Sequence, residues 1–424
     1  MSFRFVHIAD VHLDTPFKNR DAHLRDVLDS NLKHAFTLSI DLAIEKDAHA
    51  ILIAGDLFDD DTLSYKTVKF LQEQIDRLRE KSILVFYATG NHDPASRLSK
   101  ASAIKWADNV YIFSSKDPEA VDVKDRDGKV LARVVGAGHE SRNEGQNIAK
   151  GFPIADEGIS HIGLLHCLMI DGTSSHGHER YAPCTRLDLE EKGYAYWALG
   201  HIHTRLQLEG STYIVYPGNI SGRHFGETGA KGAYLVEIAK DGSVDSKFYH
   251  LSKTLWVDMT LDISESFNDI SKFRSYIMGE CHEKLNRELS ELYGVETIML
   301  RLNLKGRTPI YHYLAKEEDL NQLGQDLVDE LEIEYANVDI ESLYPPMDIE
   351  SLRKGPHLTS YALGLIEEIK KDDSLLLSLM PDELASSSKR AQSQEEILEY
   401  LRELTEGLEY EALLRTVKED YYEI

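Results

Sequence analysis

Short apolar runs alternate with stretches of helical spacing in the first part of the chain. Phe3–Ile8, Ala50–Ala54 and Ile83–Ala88 are apolar runs of strand length. Between them, Ala22–Lys46 and Ser64–Glu80 repeat apolar side chains every three or four residues, the period of a helix with one buried face. Strand, helix, strand, helix, strand predicts an α/β unit. From about Val110 strand-like runs dominate: Val110–Phe113, Val130–Gly136, Ile159–His166, Tyr196–Leu199, Tyr213–Tyr216, Gly232–Glu237 and Lys247–His250. Together these predict a two-sheet β-sandwich flanked by helices over residues 1–250.

The pattern changes near Leu251. Strand-like runs Leu255–Ile263, Thr297–Leu304 and Ala336–Ile340, with helical spacing over Phe267–Tyr293, predict a small α+β capping domain at residues 251–345. Pro345-Pro346 punctuates its end. Residues 346–424 read as a helical tail, with helical spacing over Ser360–Lys371 and Gln394–Val417 and a polar link at 385–390. Ile397, Leu401, Leu404 and Leu408 fall on one stripe, suited either to internal packing or to a partner's helices.

Charge narrows the function. The 424 residues carry 47 Lys and Arg against 73 Asp and Glu, net −26. That excludes a wholesale electrostatic grip on DNA or on an anionic membrane, but not a local basic groove. The imbalance is uneven: residues 1–250 hold 29 basic and 36 acidic side chains, net −7, and the rest hold 18 and 37, net −19. Histidine runs the other way, with 15 of 18 before Leu251, which points to metal or acid–base chemistry in the first unit. Three scattered cysteines, Cys167, Cys184 and Cys281, fit neither a disulfide framework nor a cysteine-based zinc site. No apolar run reaches the roughly 18 residues of a transmembrane helix, and the start lacks a signal peptide's apolar stretch. The expectation is a soluble, cytoplasmic protein with no membrane association.

Residue types that bind metals follow the candidate strands of the first unit. Asp10-Val11-His12 follows the first, Gly55-Asp56-Leu57-Phe58-Asp59 the second and Gly90-Asn91-His92-Asp93 the third. His166 ends a later strand, and Gly200-His201-Ile202-His203 ends another. Strand C-termini converge at one edge of a sheet, where open α/β folds place ligands. Alternation would put Asp10 with His12, and His201 with His203, on one face if the backbone stays extended. One such fragment is ordinary surface; five in this order point to a metal site.

The set D-x-H, G-D-x-x-D, G-N-H-D, H and G-H-x-H resembles the calcineurin-like metallophosphoesterase superfamily. Gly55–Asp59 and Gly90–Asp93, with Tyr216-Pro217-Gly218-Asn219, Phe225-Gly226-Glu227 and Lys231-Gly232-Ala233-Tyr234, look like its SbcD-type DNA repair exonuclease family. The run Asp10–Phe17 is most similar to the YhaO-like branch. Asp14 stands where the SbcD pattern has Gly, and the Pro-Ser expected near Leu63-Ser64 is absent.

The resemblance implies two divalent ions, most often Mn, with Fe or Zn also suited to mixed nitrogen and oxygen ligands. The first would take Asp10, His12, Asp56 and His203. The second would take Asp56, Asn91, His166 and His201, with Asp56 bridging. Two such ions lower the pKa of a shared water and stabilise in-line displacement at phosphorus. His92 would serve catalysis by assisting the leaving group. Asp93 would orient His92 or stabilise the turn, and Asp59 would support the Asp56 loop or be a solvated turn residue. His176, His178, Arg223 and His224 are candidates to reach substrate or to be plain surface. The implied activity is a two-metal phosphodiesterase acting on DNA, working as a homodimer with an SbcC-type coiled-coil ATPase. A phosphoesterase for small nucleotides, or a non-catalytic scaffold for an ATPase, are the other readings. Dimerisation would use Ser64–Glu80 and a helix expected at Ala95–Ala107.

Overall fold

A computed structural model describes residues 2–59, 63–98, 104–170, 181–263, 267, 269–346, 349–354, 358–380 and 394–416. His176, His178, Asp60, Asp61 and the polar link at 385–390 lie outside these residues. The chain divides into two compact units, Met1–Val257 with Glu283–Leu300, and Asp258–His282 with Arg301–Ile424.

The first unit is a sandwich of two six-stranded sheets. One contains β1 (Phe3–Ile8), β2 (Ala50–Ala54), β3 (Leu84–Ala88), β4 (Val110–Phe113), β11 (Gly232–Ile238) and β12 (Val244–His250), in the order β12-β11-β1-β2-β3-β4. β1 to β4 are parallel, and β11 closes antiparallel on β1. The other contains β5 (Glu119–Lys124), β6 (Val130–Gly136), β7 (Ser160–His166), β8 (Tyr196–Gly200), β9 (Leu206–Leu208) and β10 (Tyr213–Tyr216), in the order β5-β6-β7-β8-β10-β9. Its middle four strands are parallel.

Burial on both faces explains the continuous apolar runs. In β8, Tyr196 and Ala198 join the core shared with Phe5, Leu52 and Phe86, while Trp197 and Leu199 pack with Phe152 and Tyr194. Helix α1 (Ala22–Glu45) packs on β1, β2 and β11, and α2 (Tyr65–Glu80) on β3. Asp21 and Ser64 cap their N-termini by accepting backbone N–H bonds. The edge strands β5 and β9 escaped the pattern: Glu-Ala-Val-Asp-Val-Lys is half charged, and three residues are too few to show a period. The helix expected at Ala95–Ala107 is present at Ala95–Leu98, and residues 104–107 are not helical.

Strands β13 (Thr254–Asp262), β14 (Thr297–Arg307) and β15 (Tyr335–Tyr344) form a three-stranded sheet, β13 and β14 running from the first unit into the second. In the second unit, helix Glu317–Leu331 packs on β15. Farther on, Ile369, Leu376 and Leu401 form a small core. The helix expected over 394–417 is two, Gln394–Leu404 and Leu408–Thr416, broken at Gly407 with φ 78°. The expected stripe splits with it: Leu401 is buried, while Leu404 is exposed. No described helix is long and apolar enough to cross a membrane.

Candidate metal centre

Parallel strands that start together also end together, so β1, β2 and β3 deliver their following loops to one edge of the sandwich. Across from them, β7 and β8 pack against β2 and end at the same edge. Asp10 and His12 follow β1, Asp56 follows β2, Asn91 and His92 follow β3, His166 ends β7, and His201 and His203 follow β8.

The extended alternation expected for these pairs does not operate. Asp10, His12, Asp56 and His201 have φ of 50°, 53°, 48° and 102°. The strands have ended, and left-handed residues turn each side chain inward. Such conformations cost about 1–3 kcal/mol each and persist only when their surroundings hold them. Here His12 N donates to Asp56 O at 2.9 Å, Leu13 N to Leu57 O at 2.9 Å, and Asp10 N to Gly55 O at 3.2 Å, lacing the first two loops together. Gly90 is required by close approach, since a Cβ there would collide with the Asp56 carboxylate.

The donor atoms converge. His166 Nε2 stands 2.9 Å from Asn91 Oδ1 and 3.4 Å from Asp56 Oδ2. His12 Nε2 is 3.8 Å from Asp56 Oδ2 and 3.4 Å from His203 Nε2. His203 Nε2 is 3.7 Å from Asp10 Oδ1. Three of the resulting clusters, Asp10–His12–His203, Asp10–Asp56–His166 and His12–Asp56–His92, have the size of metal sites. His201 enters differently: its backbone N–H donates to both Asp10 carboxylate oxygens, at 3.1 and 3.2 Å, and its ring centroid lies 5.3 Å from that of His166.

The residues fit a pair of cations in three respects. First, each of three imidazoles has an acceptor at Nδ1: Asp59 at 2.9 Å for His12, the Ala54 carbonyl at 2.9 Å for His166, and Glu227 at 2.6 Å for His203. An acceptor there keeps the proton on Nδ1 and turns the Nε2 lone pair into the site, as metal-site histidines require. Second, burial lowers His12 to about 3 and His166 to about 4, so both are neutral at neutral pH, as a metal donor must be. Third, the two central carboxylates face each other. Burial, reinforced by Asp56, pushes Asp10 up to about 7 despite His203, while His166, His12 and His92 pull Asp56 below the ordinary carboxylate range against its burial. Positive charge between them would relieve that conflict.

His92 sits at the open side of the cluster, within reach of His12 and Asp56. Its backbone N–H donates to Asp56 Oδ1 at 2.8 Å, and its Nδ1 lies 3.2 Å from Asp59 Oδ1. Burial works to lower its pKa, but the Asp59 hydrogen bond and the Asp56 charge outweigh it and raise His92 to about 9. Asp93 takes the other position the sequence left open. Its carboxylate accepts from Leu57 N, Phe58 N, Gly90 N and the Tyr87 hydroxyl, fastening the Asp56 loop to the Asn91 loop. The carboxylate at His92 Nδ1 belongs to Asp59 instead, so Asp93 supports the turn.

Behind these residues lies a layer whose pairings the sequence did not assign. Asp59 is the hub of the outer layer. Besides His12 and His92, its Oδ1 is 3.3 Å from Arg223 Nη1. Arg223 also donates to Glu227 Oε1 at 2.9 Å, and Glu227 in turn accepts from Asn219 Nδ2 at 2.8 Å and from Arg223 N at 2.8 Å. Burial would raise Glu227, yet His203, His224 and Arg223 hold it far below the ordinary range. The signal for Glu227 was its place in Phe225-Gly226-Glu227; nothing local in the sequence paired it with His203, 24 residues away.

Comparison with known proteins fits this geometry. Residues 3–205 match the profile of the calcineurin-like phosphoesterase family. The chain is 33% identical over 374 residues to a Bacillus subtilis protein named uncharacterized metallophosphoesterase YhaO, covering 87% of each. It is 27% identical over 289 residues to the DNA double-strand break repair protein Mre11 of Methanocaldococcus jannaschii, covering 62% of this chain and 71% of that one. With Mre11 of Archaeoglobus fulgidus it shares 24% over 412 residues, 92% and 86% of the two chains. Similarity that covers residues 3–205 and most of the chain places this protein in the calcineurin-like phosphoesterase family, as a metal-dependent phosphoesterase.

Proposed function

We propose that the chain is a two-metal phosphodiesterase that cleaves DNA in the manner of SbcD-type exonucleases. The observation that carries this reading is the pairing of a carboxylate–imidazole cluster built around Asp10 and Asp56 with His92, held at its open side by Asp59. Asp10, His12, Asp56 and His203 would hold one ion, and Asp56, Asn91, His166 and His201 the other. When bound, such a pair acidifies water and neutralises phosphoryl oxygens. Mn suits these donors, with Fe or Zn as alternatives.

The chain's own residues do the rest. Asp59 keeps the His92 proton available, and His92 delivers it or its charge to the leaving oxygen. The buried hydrogen bonds of Asp93 fix the two loops that flank the scissile group. Arg223 balances Asp59 and Glu227, so both can serve histidines without a surplus of buried negative charge.

Relatives named for DNA double-strand break repair support DNA as the substrate. The same reading takes the protein as a cytoplasmic homodimer that engages an SbcC-type coiled-coil ATPase through its C-terminal helices. A phosphoesterase for small nucleotides is the second reading, favoured by the net charge of −26. Purified protein incubated with Mn and labelled linear, single-stranded and hairpin DNA tests it. Release of nucleotides that stops in the His92→Ala variant is the expected result; turnover of cyclic mononucleotides alone would select the second reading.

A further inference from the structure

Two histidines at or beyond the ends of parallel strands in the second sheet are held at their carbonyls by buried basic side chains outside the clusters described above. His166 is the last residue of β7, and its carbonyl accepts from Nε2 of His139 at 2.7 Å. A carbonyl only accepts, so the His139 proton sits on Nε2. The His139 ring is fully buried and meets the His166 ring edge to face, with centroids 5.5 Å apart. Its Nδ1 has no hydrogen-bond partner among the described residues. The backbone of the same residue is tied to Thr89, which follows β3 and leads into Asn91. His139 N donates to Thr89 O at 3.1 Å, and His139 O accepts from Thr89 Oγ1 at 2.9 Å. One residue thus ties together the loops that carry Asn91 and His166, both assigned to the second ion.

Lys231 makes the matching tie for the first ion. It is 4% exposed, and its ammonium donates to the His203 carbonyl at 2.8 Å. His203 lies beyond the end of β8, where the strand ladder no longer holds the backbone; Asn219 N also reaches this carbonyl, at 3.4 Å. Lys231 itself immediately precedes β11, which pairs antiparallel with β1, Tyr234 opposite His7, and β1 runs into Asp10. Burial lowers the Lys231 pKa to about 8, opposed by Glu227 and Asp10, so the group is charged at neutral pH. Asp10 and His203, which follow strands of different sheets, are thus joined through a buried cation. Burying an ammonium costs free energy that an apolar side chain of the same volume would not. What the ammonium adds is a fixed position for His203.

We propose that Lys231 and His139 are positioning residues for metal binding, Lys231 acting on the ion held by Asp10 and His203, and His139 on the ion held by Asn91 and His166. The proposal rests on the two-ion reading above and goes beyond it, since neither residue is a ligand. Donor atoms must be held within about half an ångström of their productive geometry, and a strand end without a ladder partner does not do that by itself. For Lys231, electrostatics separates positioning from charge. A positive charge beside Asp10 repels an incoming cation, so removing that charge alone would tighten binding. Weaker binding after its removal therefore reports the lost hold on His203.

Calorimetric titration of the full chain with Mn tests this without any turnover. His203→Ala and His166→Ala should each remove one ion and leave the other to be measured alone. In the His166→Ala chain, adding Lys231→Met should weaken the remaining ion about tenfold, the low end for losing an outer partner of a metal ligand. Adding His139→Phe there should change nothing, and in the His203→Ala chain the two effects should exchange. His139→Phe keeps a ring against His166 and loses only the donor, whereas His139→Gln keeps an N–H at similar reach and should retain affinity. Urea denaturation of each variant confirms a folded chain. Should Lys231→Met fail to fold, Lys231→Gln replaces it, being polar but too short to reach the His203 carbonyl. Equal weakening in both backgrounds, or lost stability with unchanged Mn affinity, makes these residues merely structural and overturns the proposal. Ligand variants that bind Mn as the unaltered chain does would refute the two-ion reading itself, and the positioning roles with it.

Discussion

Asp59 Oδ1 lies 3.2 Å from His92 Nδ1, although the two residues come from loops after different strands. The same oxygen is 2.9 Å from Nδ1 of His12. One carboxylate therefore orients both a proposed metal ligand and the proposed leaving-group histidine. Asp59→Asn keeps the shape and removes the charge. Metal affinity should fall about 10–100-fold, the usual effect of losing such an outer partner. Hydrolysis measured at saturating metal should remain impaired because His92 loses the group that raises its pKa. Titration calorimetry with Mn and steady-state rates check the two parts; a variant with unaltered affinity and rate would remove Asp59 from the site's function.

Two further substitutions separate holding metal from moving protons. Asp56→Ala takes a donor from both proposed ions and should strip most bound metal, read by elemental analysis. His92→Ala should keep metal and fold but lose about 10²–10⁴-fold in turnover, the worth of one acid–base group. Two ions retained in the first variant would refute the bridge, and metal lost in the second would make His92 a ligand.

Glu227 should matter more to stability than its surface neighbours. It is 4% exposed and binds His203, Asn219 and Arg223. Glu227→Ala leaves the mostly buried Arg223 guanidinium with Asp59 as its remaining carboxylate, and breaking such a pair costs roughly 3–5 kcal/mol. Urea denaturation is the check, and a loss below about 1 kcal/mol would show that Arg223 finds water instead.

His7 gives the fold an acid sensitivity away from the proposed metal ligands. Its Nδ1 lies 3.0 Å from the Tyr196 hydroxyl, and burial lowers its pKa to about 3, against a favourable backbone contact at Leu199. The unfolded chain takes up this proton below about pH 6.5, and the folded chain only near pH 3. Between those values the unfolded state binds more protons, so stability falls as pH falls, by roughly 1.4 kcal/mol per pH unit from this group. His7→Gln should flatten the decline between pH 6.5 and 4 by about one proton. An unchanged slope of unfolding free energy against pH would mean that His7 is not neutral in the fold.

Much of this architecture was written locally. Buried parallel strands such as β2 need apolar residues on both faces, so Ala50–Ala54 announces itself as a run without a partner in view. The helices carry their own period and their own caps at Asp21 and Ser64. The half-charged β5 and the three-residue β9 do not, since edge strands lack the burial that writes a pattern. The break at Gly407 hides in an apolar spacing that continues across it.

The sequence by itself determined which chemical groups stand after which strands, because residue type and strand period are local properties. Only the tertiary structure decided how those groups meet. It turned Asp10, His12, Asp56 and His201 inward through left-handed backbone instead of strand alternation. It set Asp93 on backbone amides and gave His92 to Asp59. It also paired His203 with Glu227 and Arg223 with Asp59 across 24 and 164 residues of chain. Hydrogen bonds and charge interactions act over a few ångströms of space whatever the separation along the chain. Which carboxylate serves which imidazole is therefore settled by the packing of the two sheets, not by spacing in the sequence.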